Sequence, residues 1–138
     1  MSLLEKLKEL YNDLHTVSCQ LSQELIEKNV VATGLENILN SLNEIFVQDD
    51  ATHILRLISP HSLKEFFGSN SINGRCRTPK DTEALISNIR KGIVTTNQFL
   101  FYFKNETDFR YIVLPLQANV WNLMTLLYDV EFYFSFAP

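Results

Sequence analysis

The sequence has few of the residues that mark common functional sites. Its 138 residues include only two cysteines, three histidines and four glycines. Cys19 and Cys76 form no Cys-x-x-Cys pair. The histidines do not indicate a metal-binding motif with another histidine, a cysteine or a carboxylate, so we expect no metal site. The chain also lacks a glycine-rich loop of the kind that binds phosphates, and we expect no cofactor.

Long apolar runs are absent too. No stretch of the sequence approaches the ~18–20 apolar residues of a membrane-spanning helix. The beginning of the chain lacks the basic region and apolar run of a signal peptide. We therefore expect no membrane insertion and an intracellular, cytoplasmic location, with the nucleus left open. Two widely separated cysteines agree with a reducing compartment.

Positive charge is scarce and unevenly distributed. The chain has 12 lysines and arginines against 16 acidic residues, a net charge of −4, which argues against general nucleic-acid binding. Residues 1–50 contain three basic and nine acidic residues, whereas residues 51–100 contain seven basic and three acidic ones. Either the two regions complement each other within the chain, or the acidic region faces a basic partner.

A heptad pattern of apolar residues is the clearest feature that is present. It marks one edge of a first helix, predicted over 3–28, and its members are Leu3, Leu7, Leu10, Leu14, Val17 and Leu21. Further apolar residues beside it widen the edge into a face suited to a helical bundle or a sheet. A second helix, predicted over 34–47, is about half as long as the first. The other half of the face needs cover from the chain's own later helices, from the sheet or from a second chain. We predict the six seam residues as a partner-binding site.

Capping signals indicate how the first two helices are arranged. Thr33 and Glu36 form a T-x-x-E capping box, which predicts the start of the second helix. Because the connection before it is short, residues 1–48 are expected to form an antiparallel helical hairpin.

Short helices are predicted over residues 49–92, around a loop at 68–77. Thr78-Pro79 is a typical start for the last of these helices, because proline is favoured in the first helical turn. Gly92, preceded by two cations, predicts its end.

Alternating apolar residues predict an antiparallel sheet over residues 93–138. Phe99, Phe101 and Phe103 alternate with their neighbours, as in a strand, so 97–114 is predicted to be a hairpin. A third strand is expected at 130–136, whereas 119–128 is ambiguous and a short helix is favoured there. The fold class is therefore predicted to be α+β, in one domain that spans 1–138, with helices followed by a small, about three-stranded sheet.

The loop before the last predicted helix contains the strongest candidate for chemistry. Arg75 and Arg77 flank Cys76, and Thr78 opens a helix, so positive charge and the helix N-terminus both favour a thiolate. With Lys80, the same groups form a possible anion-binding loop. No histidine lies nearby in the sequence to act as a base. The alternative is a solvated basic loop with an incidental cysteine.

These observations favour a non-catalytic protein-interaction module, or a subunit of a homo- or hetero-oligomer. The part of the first helix's apolar face that the shorter second helix does not cover supports this hypothesis. The sequence also shows no recognised set of catalytic residues. One alternative is an immunity or antitoxin-type inhibitor whose acidic helices bind a basic effector. Another is a small thiol- or anion-dependent enzyme that uses Cys76.

Overall fold

The computed structural model describes residues 3–47 and 79–135, with side chains over 5–47 and 83–130. These ranges contain helices and no strand. The helices are α1 (Leu3–Leu21), α2 (Lys28–Phe46), α3 (Pro79–Asn105) and α4 (Arg110–Ser135). None of these described helices combines the length and the apolar character needed to span a membrane.

The helices form an up-down-up-down bundle. Each packs mainly against two neighbours, in the order α1, α2, α3, α4, and α4 closes the ring against α1. Hydrogen bonds at both ends show that α2 and α3 run antiparallel. Lys28 Nζ donates to the carbonyl of Glu106 at 3.0 Å, and Arg90 Nε donates to the carbonyl of Phe46 at 2.5 Å.

The heptad seam of α1 lies in the core of this bundle. Its buried members are Leu7, Leu10, Leu14, Val17 and Leu21, whereas the side chain of Leu3 is outside the described part. The helix ends at Leu21 rather than at 28. The seam also stops there, because the next position of the heptad pattern, three residues further on, is Glu24. Helix α2 has the same length as α1, and α4 covers the rest of the apolar face. A contact between the seam and a partner stays a prediction.

The antiparallel hairpin of α1 and α2 is confirmed, but its second helix starts earlier than predicted. Helix α2 begins at Lys28, after Glu27 in an extended conformation with no side-chain cap. Thr33 and Glu36 therefore lie inside α2 and do not form its cap. Glu36 instead pairs with Lys104 of α3 at 3.2 Å. The capping box was a misleading match, since the same residue types also occur on exposed helix faces.

Helix α3 is described from Pro79, the position at which Thr78-Pro79 predicts a start. It continues through Gly92, so the predicted end there is wrong. A Cβ atom at Gly92 would lie 2.9 Å from Leu123 Cδ2 and 3.4 Å from Asn122 Nδ2. This glycine therefore serves the close approach of α3 and α4 rather than the end of a helix.

The predicted sheet, and with it the α+β fold class, is wrong: the described chain is all-helical. Residues 97–105 complete α3. The second half of the predicted hairpin lies in α4 from Arg110 onward, and the third predicted strand lies in α4 as far as Ser135. Burial along α3 follows steps of three and four rather than two, at Ile93, Thr96, Leu100 and Phe103. The unbroken apolar run at 99–103 is compatible with the period of a strand and with that of a helix. Packing of this segment against α2 and α4 favours the helix.

The ambiguous segment 119–128 is helical, as favoured, and belongs to α4. Pro115 lies inside this helix instead of ending a strand. The predicted short helices before residue 79, and the loop at 68–77, lie outside the described residues.

Leu14→Ala should lower the free energy of unfolding by about 2–5 kcal/mol, because Leu14 is fully buried and its loss leaves a cavity. Leu25→Ala is the control, since that side chain is 86% exposed, and it should cost little. Chemical denaturation of both variants measures the difference. Equal and small effects would contradict the placement of the α1 seam in this chain's own core.

Gly34→Ala should raise the free energy of unfolding by about 0.5–1 kcal/mol, because alanine favours the helix and the nearest atom, Val17 Cγ2, is 3.8 Å from the added Cβ.

Gly92→Val should instead lower the free energy of unfolding by about 1–3 kcal/mol, because its Cβ meets Leu123 in the core. Thermal and urea unfolding measure both changes. A stabilised Gly92→Val variant would mean that α3 and α4 are less closely packed.

Candidate functional site

An open groove of about 760 Å³ runs between α1 and α4. Helix α1 contributes Tyr11, His15, Ser18, Cys19 and Ser22. Helix α4 contributes Trp121, Met124, Thr125 and Tyr128. None of these nine residues is an aspartate, glutamate, lysine or arginine. The groove is therefore an aromatic surface whose lining includes one histidine, His15, and its size is within the range of known binding clefts.

Ser18 is the centre of the polar contacts that join the two walls of the groove. Its hydroxyl accepts a hydrogen bond from Trp121 Nε1, and its carbonyl accepts one from Gln117 Nε2 at 2.9 Å. The same amide donates to Ser22 Oγ at 2.6 Å. No buried side-chain nitrogen or oxygen of the described residues lacks a partner. These contacts fix the position of the indole ring at the edge of the groove.

The aromatic rings of the groove also span the two helices. Tyr11 and Tyr128 lie with ring centroids 6.5 Å apart, within the distance of a favourable aromatic pair. The groove is consequently bounded by an aromatic contact at one end and by the Ser18 hydrogen bonds further along α1.

His15 and Cys19 form a pair that the sequence analysis overlooked. Their i, i+4 spacing places His15 Nδ1 3.9 Å from Cys19 Sγ on the exposed side of α1. That spacing was the available signal. Within the described residues, no group of three or more histidine, cysteine or carboxylate side chains could hold a metal ion.

The outer face of α4 carries a second heptad pattern, which we call the α4 stripe. Its steps are three, four, three, four and three, and its members are Tyr111, Leu114, Ala118, Trp121, Thr125 and Tyr128. All six side chains are exposed, and the four large ones are 51–74% exposed. Trp121, Thr125 and Tyr128 also line the groove, so the stripe and the groove form one surface.

Charge is absent from this part of the chain. The 18 residues between Arg110 and Asp129 include no acidic or basic side chain. The outer faces of the other three helices do carry exposed charges, for example Glu9 on α1, Glu44 on α2 and Lys91 on α3. Sequence reasoning missed the α4 stripe because it divided this segment between a strand and a short helix.

Two ionisable residues near the start of α4, Asp108 and Tyr111, have shifted pKa values. Asp108 Oδ1 accepts hydrogen bonds from the backbone N–H of Arg110 at 3.3 Å and from its Nε at 3.2 Å. These contacts lower the pKa of Asp108. Desolvation, followed by the carboxylate of Glu106, raises the pKa of Tyr111, so its phenol stays protonated at neutral pH.

The predicted anion-binding loop lies outside the described residues, except for the backbone of Lys80. Arg75, Cys76, Arg77 and Thr78 lie outside the described residues, and Lys80 is in α3 with its side chain outside the described part. The structure therefore brings together a different set of residues, which are those of the groove and the α4 stripe.

Comparison with known proteins identifies no relative: no family model, no curated protein and no solved structure matches this chain. The groove and the α4 stripe are thus the basis for a functional proposal.

Ser18→Ala should shift the fluorescence emission of Trp121, the only tryptophan, to longer wavelength and lower the free energy of unfolding by about 1 kcal/mol. The substitution removes the hydroxyl that accepts the indole N–H. Thr16→Ala is the control, because that hydroxyl donates only to the carbonyl of Asn12 at an exposed position. Identical spectra for the two variants would contradict the Ser18–Trp121 contact.

Proposed function

We propose that this chain is a non-catalytic protein-interaction module, whose docking surface is the α4 stripe together with the groove. The observation that carries the proposal is the length of exposed, uncharged surface on α4. Over 18 residues, about 27 Å of helix, both the inward and the outward face lack charge. Large contiguous apolar patches on soluble chains typically mark interaction sites.

The residue types of this surface support the same function. Tyrosine and tryptophan are enriched in protein interfaces and dominate their binding energy, and three of the six stripe residues are of these types. A partner that covered the edge of the indole would not leave its N–H without an acceptor, because the N–H already donates to the Ser18 hydroxyl. A docking partner therefore gains apolar contact without the cost of an unpaired buried donor.

The two alternative functions receive less support. An inhibitor of a basic effector would use the acidic surface of the first helices. Two of those carboxylates already face lysines of this chain, Glu36 at 3.2 Å from Lys104 and Glu9 at 3.8 Å from Lys6. A thiol enzyme would depend on Cys76, which lies outside the described residues. A cytoplasmic location belongs to our proposal, since Cys19 is an exposed thiol that a reducing compartment would preserve.

A photo-crosslinking amino acid in place of Leu114 should give a discrete protein adduct in the native host, because Leu114 is 74% exposed and is the most exposed large residue of the α4 stripe. The same substitution at Asn40, an exposed residue of α2, should give none. Gel mobility and mass spectrometry of the adducts measure the outcome. No adduct from position 114, or equal labelling from both positions, would refute the proposed function.

A further inference from the structure

The α4 stripe has the same spacing when it is read from either end. Its steps of three, four, three, four and three are centred between residues 119 and 120. If two antiparallel copies of α4 meet about a twofold axis at that centre, each stripe residue faces the stripe residue at the mirrored position of the other copy. The layers are then Tyr111 with Tyr128, Leu114 with Thr125, and Ala118 with Trp121.

From the exposure of the stripe, and from the small Ala118 and the large Trp121 at mirrored positions about its centre, we infer that the docking partner is a second copy of this chain, bound α4 to α4 in antiparallel orientation. The inference rests on the proposed function and names its partner. Such a twofold interface is isologous: if one residue contacts another, the reverse contact also occurs, so each layer forms twice.

Side-chain size favours the antiparallel orientation over the parallel one. In the antiparallel pair, the small Ala118 lies beside the large Trp121 of the second copy, on both sides of the axis. A parallel pair would place tryptophan against tryptophan and alanine against alanine, which crowds one layer and leaves a gap in the next. Interfaces that pack to the density of protein interiors avoid such layers.

Charge at the ends of the stripe favours the same orientation. Arg110 stands immediately before the stripe and Asp129 immediately after it. Antiparallel helices bring Arg110 of one copy towards Asp129 of the other, whereas parallel helices bring Arg110 to Arg110 and Asp129 to Asp129. Arg110 already pairs with Asp108 at 3.2 Å, but both side chains are exposed, and such a pair can rearrange at little cost.

The first test is the mass of the full chain by sedimentation velocity over a range of concentrations. The wild type should form a dimer, and Leu114→Glu should raise the dimer dissociation constant at least about tenfold, because it places a charge in an apolar layer. Its helical content should stay the same, since Leu114 is exposed in the single chain. Asn40→Glu, on the outer face of α2, is the matched control and should dimerise like the wild type.

The second test identifies the layer partners. In the antiparallel pair, residue 114 faces residue 125 of the other copy, so adding Thr125→Lys to Leu114→Glu should restore the dimer through two glutamate–lysine pairs. A parallel pair would place glutamate against glutamate and would not be restored. A double variant that stays monomeric would overturn the antiparallel pairing.

A third test measures orientation directly, in a background with Cys19→Ser and Cys76→Ser. Asn122→Cys lies about 8 Å along the axis from its own copy in the antiparallel pair, so a short bifunctional maleimide should link the two chains. Thr107→Cys, just before α4, lies more than about 28 Å from its own copy and should not be linked. Efficient linkage at both positions would indicate parallel helices and overturn the inference.

These results also separate the inference from the proposed function. A wild type that stays monomeric at every concentration overturns the second copy as partner. If position 114 then still gives an adduct with a different protein, the interaction module stands and only the identity of its partner changes. If position 114 gives no adduct either, both proposals fail.

Discussion

Helix α4 has two apolar faces, and a ring of four helices can bury only one of them. The inward face packs against α1 and α3, and its fully buried residues include Leu116, Val120 and Leu123. The α4 stripe lies on the outer side of the same helix, where Trp121 and Tyr128 reach the edge of α1 but the side chains stay exposed. Because the core requires the first face, the exposure of the second follows from the arrangement of the bundle itself.

The contact between α1 and α4 determines what this exposed surface looks like. Ser18 is a buried polar residue on an apolar helix face, and it is satisfied by groups that come from α4. Such a contact specifies how the two helices are aligned, since a shift by one turn would leave the donors of Gln117 and Trp121 without their acceptors. The alignment holds Trp121 at the boundary between the groove and the α4 stripe. The groove and the α4 stripe are therefore positioned by polar contacts, although their surface is itself largely apolar.

The amino-acid pattern predicted the first half of this fold better than the second. The seam of α1 is strictly periodic, and its burial and the hairpin with α2 followed from it. The run from Phe99 to Phe103 is apolar at every position, so it satisfies the period of a strand and that of a helix, and only the packing of α3 against its neighbours distinguishes them. Gly92 and Pro115 added to the error, because residues that often end helices lie here inside two long ones. The candidate site was missed for the same reason, since its spacing becomes visible only when 111–128 is read as one helix.

The exposed stripe on α4 also bears on how quality control in a cell would treat the folded chain. Chaperones and proteases recognise apolar surface as a mark of unfolded chains, and a correctly folded copy displays such a surface along 18 uncharged residues. If the stripe docks a partner as we propose, an unassembled copy would resemble a damaged one, whereas an assembled copy would not. The abundance of the protein would then depend on occupancy of this surface as well as on the stability of its core.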